Sequence, residues 1–191
     1  MKILIATQNV DKFNIISKMI KSSINSDIEI KSLNDIEPIK EEIEAGTNLE
    51  RAKKKAENAK KYVKEEFDAI IGIDDGVIIK DQEYAAVKDH LKDIISGDKI
   101  KIGEKIYITR AYYMITKENE ISSCLNKIPY YLRKKLKNYE NIGYPLNKVI
   151  STIDNETVLS ERDKDELNEY FIKHSIEDIR DLLNIIDRGN K

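Results

Sequence analysis

Three groups of polar side chains could do chemistry in this sequence. The first is Thr7, Asn9 and Lys12, at the point where the apolar run Ile3-Leu4-Ile5-Ala6 gives way to Thr7-Gln8-Asn9-Val10-Asp11-Lys12. The second is Glu44, two residues before Gly46, and the third is the adjacent pair Asp74 and Asp75 within Ile70-Ile71-Gly72-Ile73-Asp74-Asp75-Gly76-Val77. A short apolar run followed by Phe13, Ile16, Met19 and Ile20 reads as a buried strand feeding a helix. The first N–H groups of such a helix have no intrahelical partner and lie at the positive end of its dipole, so an anion placed there meets ready donors. Lys12 adds a cation and Thr7 and Asn9 add short hydrogen-bonding groups, although Asn9 is equally suited to cap the helix. Carboxylates at the ends of apolar strands are costly unless solvated, paired or bound to metal, and Asp-Asp-Gly is also a common turn sequence. Magnesium takes oxygen ligands, with one or two carboxylates and the phosphates of a substrate sufficing. A helix start, a lysine and a few acids are together what metal-assisted phosphate chemistry requires.

The elements that must position these groups alternate between strand and helix. A short strand is expected at 28–30 and a long helix over about 48–66, with Thr47 as N-cap and Glu50 completing a capping box. The inner stripe of that helix, Leu49, Ala52, Ala56, Ala59 and Val63, is narrow enough for close approach to a neighbour, and its lysines at 53–55, 60 and 61 read largely as a solvated face. Residues 69–79 read as two strand segments with the acids at the break. Helix is predicted over 85–95, strand over 105–116, another strand near 121–125, and a strand near 149–153. Pro129 and Pro145 interrupt the pattern between 128 and 150. Two helices close the sequence, over 163–171 and 174–186. Strands mixed with helices at these lengths point to a single α/β unit over residues 1–191.

The 191 residues suffice for a sizeable core, and 40% of them are apolar. With 33 basic against 35 acidic residues the net charge is −2, which gives no electrostatic footprint for a nucleic-acid partner and requires any anion to be held locally. Cys124 is the only cysteine, so an intramolecular disulfide and a cysteine zinc cluster are excluded, as suits a reducing cytoplasm. No apolar run approaches a membrane span, and the expectation is a soluble cytoplasmic protein.

Taken in order, the motifs resemble those of the non-canonical purine nucleoside triphosphate pyrophosphatases, the inosine triphosphate pyrophosphatase family. A strand followed by T-x-N-x-x-K is matched by Thr7, Asn9 and Lys12. A Glu two residues before a Gly and then a T-F-x-E-N-A-x-x-K-A helix are matched by Glu44, Gly46, Thr47, Glu50, Ala52, Lys55 and Ala56. The family's D-D-S-G-L segment is similar to Asp74, Asp75, Gly76, Val77 and Ile78. The resemblance covers residues 1–80 best. Beyond them the P-G-x-x-S-A-R-Y segment has no counterpart, G-Y-D-P is represented by Gly143-Tyr144-Pro145-Leu146, and S-H-R by Lys173-His174-Ser175. Arg51 stands where the family has a helix asparagine, and Ile15 where it has an acid.

The resemblance implies an elongated mixed β-sheet flanked by helices, in two lobes with a central cleft, and a homodimer. It implies magnesium-dependent hydrolysis of a nucleoside triphosphate such as ITP or XTP to the monophosphate and pyrophosphate. Thr7, Asn9 and Lys12 would hold the phosphates, Glu44, Asp74 and Asp75 the metal, and Asp75 would also activate water. Tyr144, His174 and Ser175 would face the base. The alternative is a nucleotide-binding or regulatory protein that has lost turnover on the same scaffold.

Overall fold

The computed structural model describes residues 1–24, 27–38, 45–85, 87–96, 100–137 and 145–188. Glu44 and Tyr144 lie outside them. The strands are β1 (Lys2–Ala6), β2 (Glu29–Ser32), β3 (Ala69–Ile79), β4 (Gln82–Ala85), β5 (Lys105–Thr116), β6 (Ile121–Leu132) and β7 (Ile150–Thr152). The helices are α1 (Val10–Ser23), α2 (Asn48–Tyr62), α3 (Val87–Ile95), α4 (Lys164–Lys173) and α5 (Ile176–Arg188). The strands form one mixed sheet in the order β2-β1-β3-β5-β6-β7, with β4 paired to β3. Both neighbours of β1 are parallel to it, whereas β4 on β3 and β7 on β6 are antiparallel.

The chain divides into two compact units. The first comprises Met1–Asp74, Arg110–Asn126 and Ser175–Lys191. In it, β1 runs between β2 and β3 in the registers Ile3↔Ile30 and Ala6↔Gly72. The crossover through α1 leads to one side of β1 and the crossover through α2 leads back to the other. Right-handed crossovers in opposite directions put the two helices on opposite faces of the sheet. Side chains alternate between those faces. Leu4, Ala6 and Ile70 join Ala52, Ala56 and Ala59 of α2 in one buried cluster, with Ala111, Tyr113 and Ile115. Ile3, Ile5, Ile71 and Ile73, of the other parity, are also buried, as are Ile16, Met19 and Ile20 of α1, which packs on α5.

The second unit comprises Asp75–Thr109 and Lys127–His174. Its core holds Val77 and Ile79 of β3, Leu91, Ile94 and Ile95 of α3, Ile128, Tyr130 and Leu132 of β6, and Tyr170 of α4.

Most expected elements are present, and the differences have physical causes. Helix α2 has the Thr47 N-cap and the reciprocal Glu50 bond of a capping box, and it stops at Tyr62, four residues short of the expected end. Residues 69–79 form one unbroken strand. Pairing with β1 over Ala69–Gly72 and with β4 over Gly76–Ile79 carries the ladder through the acids. Strand β4 itself carries no local signal, because its hairpin turn is Lys80-Asp81. Both residues have positive φ, 49° and 66°, as a two-residue hairpin turn of the mirror-image type requires, yet neither is Gly or Asn. Strand β6 runs through Pro129, which precedes the residues paired with β7, Tyr130–Leu132.

Candidate functional site

The carboxyl end of β1 lies beside Gly72, inside the long strand β3, and between these strands the order of connection reverses. In open α/β sheets this switch point is where ligands bind, because loops and helix starts diverge there and leave a crevice. Two of the groups marked by the sequence converge on it. The turn after β1 is held from both sides: the Asn9 N–H donates to Thr7 Oγ1 (3.2 Å), and the Lys12 N–H donates to Asn9 Oδ1 (2.9 Å), which makes Asn9 the N-cap of α1. The segment after β2 pins the same turn, since the Leu33 N–H donates to the Thr7 carbonyl (3.1 Å) and Asn34 Nδ2 to the Gln8 carbonyl (2.9 Å). The loop geometry is therefore set before any ligand arrives. Lys12 is half-buried in the first turn of α1.

Asp74 lies two residues beyond Gly72, the partner of Ala6. It is only 4% exposed, and each carboxylate oxygen accepts from a cation of α2: Oδ2 from Arg51 Nε at 2.7 Å and Oδ1 from Lys55 Nζ at 2.7 Å. The two cations are one helical turn apart and so share a face. The approach of α2 to this strand depends on Gly72, where an added Cβ would stand 2.0 Å from the Ala52 carbonyl oxygen and 2.6 Å from the Ala56 nitrogen. At the start of the helix Gly46 is held at φ 107°, a backbone conformation that favours glycine, and a Cβ there would stand 2.3 Å from Glu50 Oε2 of the capping box. Thr47 holds the Glu50 carboxyl below the usual carboxylate range through its backbone N–H and its hydroxyl.

Asp75, next along the unbroken strand, is half-buried and directed to the face opposite Asp74, because side chains alternate. The two acids thus have separate surroundings. Among the described residues no three His, Cys, Asp or Glu side chains are grouped to hold a metal ion. Asp74 does not fit direct ligation, since a carboxylate whose two oxygens each bind a cation has little charge left for a divalent ion. Asp75 fits as the single carboxylate that magnesium needs beside phosphate oxygens.

His174 and Ser175 occupy different surroundings. His174 is the C-cap of α4, not the start of α5, with its ring 4.3 Å from that of Tyr170 and Nδ1 2.8 Å from the Tyr170 carbonyl. A carbonyl only accepts, so Nδ1 is the donor in this contact. Ser175 is 1% exposed and its Oγ donates to Asn126 Oδ1 at 3.0 Å, while Asn126 Nδ2 donates to Asp178 of α5. Its hydroxyl is therefore committed to the interior. Cys124 donates weakly to the Asp178 carbonyl (Sγ to O 3.7 Å), and burial, with Asp178 and Asp181 nearby, pushes its thiol up to about 12. That thiol is no nucleophile.

The partners of Asp74 are not evident from the local sequence. Periodicity places Lys55 with the lysines of a solvated face, which Lys53 does occupy beside Glu57, whereas Lys55 turns inward to Asp74. The available signal was that Arg51 and Lys55 lie four apart on the flank of the alanine stripe, one turn from a glycine-thin approach.

No known family model matches the sequence, and no curated protein matches it. Solved structures do. The nucleoside-triphosphatase / dITP/XTP pyrophosphatase of Mycobacterium abscessus superposes with a TM-score of 0.66 at 18% identity, over 93% of this chain and 96% of that one. The Ham1 protein of Staphylococcus aureus gives a TM-score of 0.65 at 16% identity, with all of both chains covered. A HAM1 protein of Coxiella burnetii gives 0.67 at 12% identity, over 96% and 98%. With its mixed sheet flanked by helices, this chain has the fold of the Ham1 and dITP/XTP pyrophosphatase proteins.

Proposed function

We propose that the protein is a nucleoside triphosphate pyrophosphohydrolase that converts a triphosphate to the monophosphate and pyrophosphate, with inosine or xanthosine triphosphate as substrate. The observation that carries this reading is the pre-set Thr7–Lys12 turn meeting a cation-locked Asp74 at the switch point of a pyrophosphatase fold. Thr7, Asn9 and Lys12 hold phosphate oxygens by hydrogen bonds and by the charge of Lys12. Asp75 takes a proton from water as the water oxygen bonds to the α-phosphorus, and the bond from that phosphorus to the bridging oxygen breaks to release pyrophosphate. Asp75 would also hold magnesium, together with Glu44. When bound, magnesium screens the phosphates and acidifies the attacking water.

Base recognition falls to Tyr144 and His174. Ser175 stands where the resemblance has an arginine, and its hydroxyl is spent on Asn126. Large specificity ratios come from buried groups that the wrong base leaves unpaired. The preference for inosine triphosphate over adenosine triphosphate is accordingly shallow. A homodimer in the cytoplasm belongs to the same proposal; among the described residues no helix is long and apolar enough to cross a membrane.

The second reading, a nucleotide-binding protein without turnover, is favoured by one observation: Asp74 is withdrawn from metal binding. A panel of nucleoside triphosphates with magnesium, read for monophosphate and pyrophosphate, separates the two. Pyrophosphate release that stops in excess chelator is the expected result. Tight nucleotide binding without release establishes the second reading, and full activity in chelator removes magnesium from the first.

A further inference from the structure

The two faces of the sheet in the second unit differ in what packs on them. Ile106 of β5, Ile128, Tyr130 and Leu132 of β6 and Ile150 of β7 share a core with Leu91 and Ile94 of α3 and Tyr170 of α4, so among the described residues both helices of the unit lie on that side. Side chains alternate along a strand, which puts Lys105 and Tyr107 of β5, and Lys127, Pro129 and Tyr131 of β6, on the other face. The two strands keep one register from end to end: the Leu132 N–H donates to the Glu104 carbonyl (3.0 Å) and the Thr116 N–H to the Glu120 carbonyl (2.9 Å). Between those ends Lys105 stands opposite Tyr131, Tyr107 opposite Pro129, and Thr109 opposite Lys127. Tyr107, Pro129 and Tyr131 are half-buried, and both lysines are exposed. We propose that this face binds single-stranded nucleic acid, with bases stacked on its tyrosines and phosphates met by Lys105 and Lys127.

Aromatic rings interleaved with cations are what an unpaired strand needs, because every base has a face to stack and every link a phosphate to neutralise. The Lys105 ammonium lies 5.9 Å from the centre of the Tyr131 ring and the Arg133 guanidinium 5.2 Å from it. Arg133 is tethered on this face by Ser151, the β7 partner of Tyr131, whose Oγ accepts from Arg133 Nε at 2.7 Å. Among the described residues the only carboxylate within 4.0 Å of these three cations is that of Glu156, 3.4 Å from Arg133, so positive charge is left over. The two lysines sit four residues apart along the ladder, about 13 Å, with Tyr107 and Pro129 between them. Other occupants fit less well. A second copy would set these cations against their own images across a two-fold axis. A small ligand calls for a concave pocket, which a sheet face is not. A duplex hides the base faces that tyrosines would stack. The net charge of −2 supplies no wide attracting field, so affinity must come from this strip and be lost with it.

The test is fluorescence anisotropy of labelled single-stranded RNA and DNA decanucleotides, titrated with the full chain over a range of salt. The wild type is compared with the K105E, K127E, K105E/K127E and Y131L variants, and with K53E, which changes the net charge equally on the exposed side of α2. Wild-type protein should bind at low salt, and the logarithm of its affinity should fall against that of salt with a slope of about −1.4, as two phosphate contacts on a single strand give. Each lysine reversal should weaken binding and flatten the slope by about 0.7. Y131L should weaken binding about five- to a hundredfold and leave the slope as it was, since it removes a stack and no charge. Both lysines are exposed and make no ion pair among the described residues, so their reversal should leave the melting temperature near that of the wild type and keeps the test open where Y131L melts early. Wild-type protein that binds neither strand overturns the proposal, as does a K105E/K127E variant that binds as tightly as the wild type. An equal loss in K53E and K105E overturns it by making net charge responsible. A duplex bound as tightly as the single strand also overturns it, and so does displacement of the strand by a nucleoside triphosphate at equal phosphate concentration, which would make the face a mononucleotide site. A dimer that Y131L splits, seen by light scattering where no strand binds, would give the face to a second copy.

Discussion

Asp74 and Asp75 are chemically identical neighbours that the fold separates into a cation-locked anchor and a half-buried acid on the other face of the strand. If Asp75 is the general base, Asp75→Asn keeps its shape and removes its function. Pyrophosphate release should fall at least about a hundredfold with the melting temperature little changed. A few-fold loss would move the base elsewhere. Lys12→Ala should weaken triphosphate binding roughly ten- to a hundredfold and leave nucleoside binding alone, as expected for one lost charge-assisted bond to phosphate. Equal weakening of both ligands would show that Lys12 works through folding. The cap at Asn9 and the box at Thr47 and Glu50 were legible in sequence because both are local, made within three residues. The locking of Asp74 was not, because its partners lie 23 and 19 residues away on another element.

At the scale of elements, local preference loses to pairing in β3. Asp-Asp-Gly is poor strand material and reads as a break, yet the β1 ladder on one stretch and the β4 hairpin on the next hold it extended. Helices α1 and α2 were legible because their apolar spacing and caps agree. The narrow alanine face of α2 finds its reason at Gly72. Gly72→Ala would press a methyl group into backbone atoms that cannot rotate aside, so α2 must shift bodily. A loss of about 1–3 kcal/mol is expected, seen as a lowered denaturant midpoint. An unchanged midpoint would mean that α2 does not depend on this close approach.

For the molecule as a whole, acid should loosen the first unit at the start of β1. The Lys2 N–H donates to Asp68 Oδ2 (2.8 Å), and this bond, with Lys117, holds the Asp68 carboxyl below its ordinary range. A depressed folded value means that the stabilisation is complete above the unfolded value, near roughly pH 4, and fades as pH falls through the folded one. Asp68→Asn should therefore lower the melting temperature at neutral pH and make progressively less difference below about pH 4. A constant difference across that range would show that the bond carries no proton-linked stability. The half-buried thiol of Cys124 has a use of a different kind. At about 12 in the folded chain, it is ionised to only about one part in ten thousand at pH 8, against roughly a quarter for a thiol released into water. Alkylation at this single cysteine should then be slow in the folded chain and speed up when β6 parts from α5, so that its rate reports on that opening. The protein carries its own stopwatch, readable by mass alone without a dye or a tag.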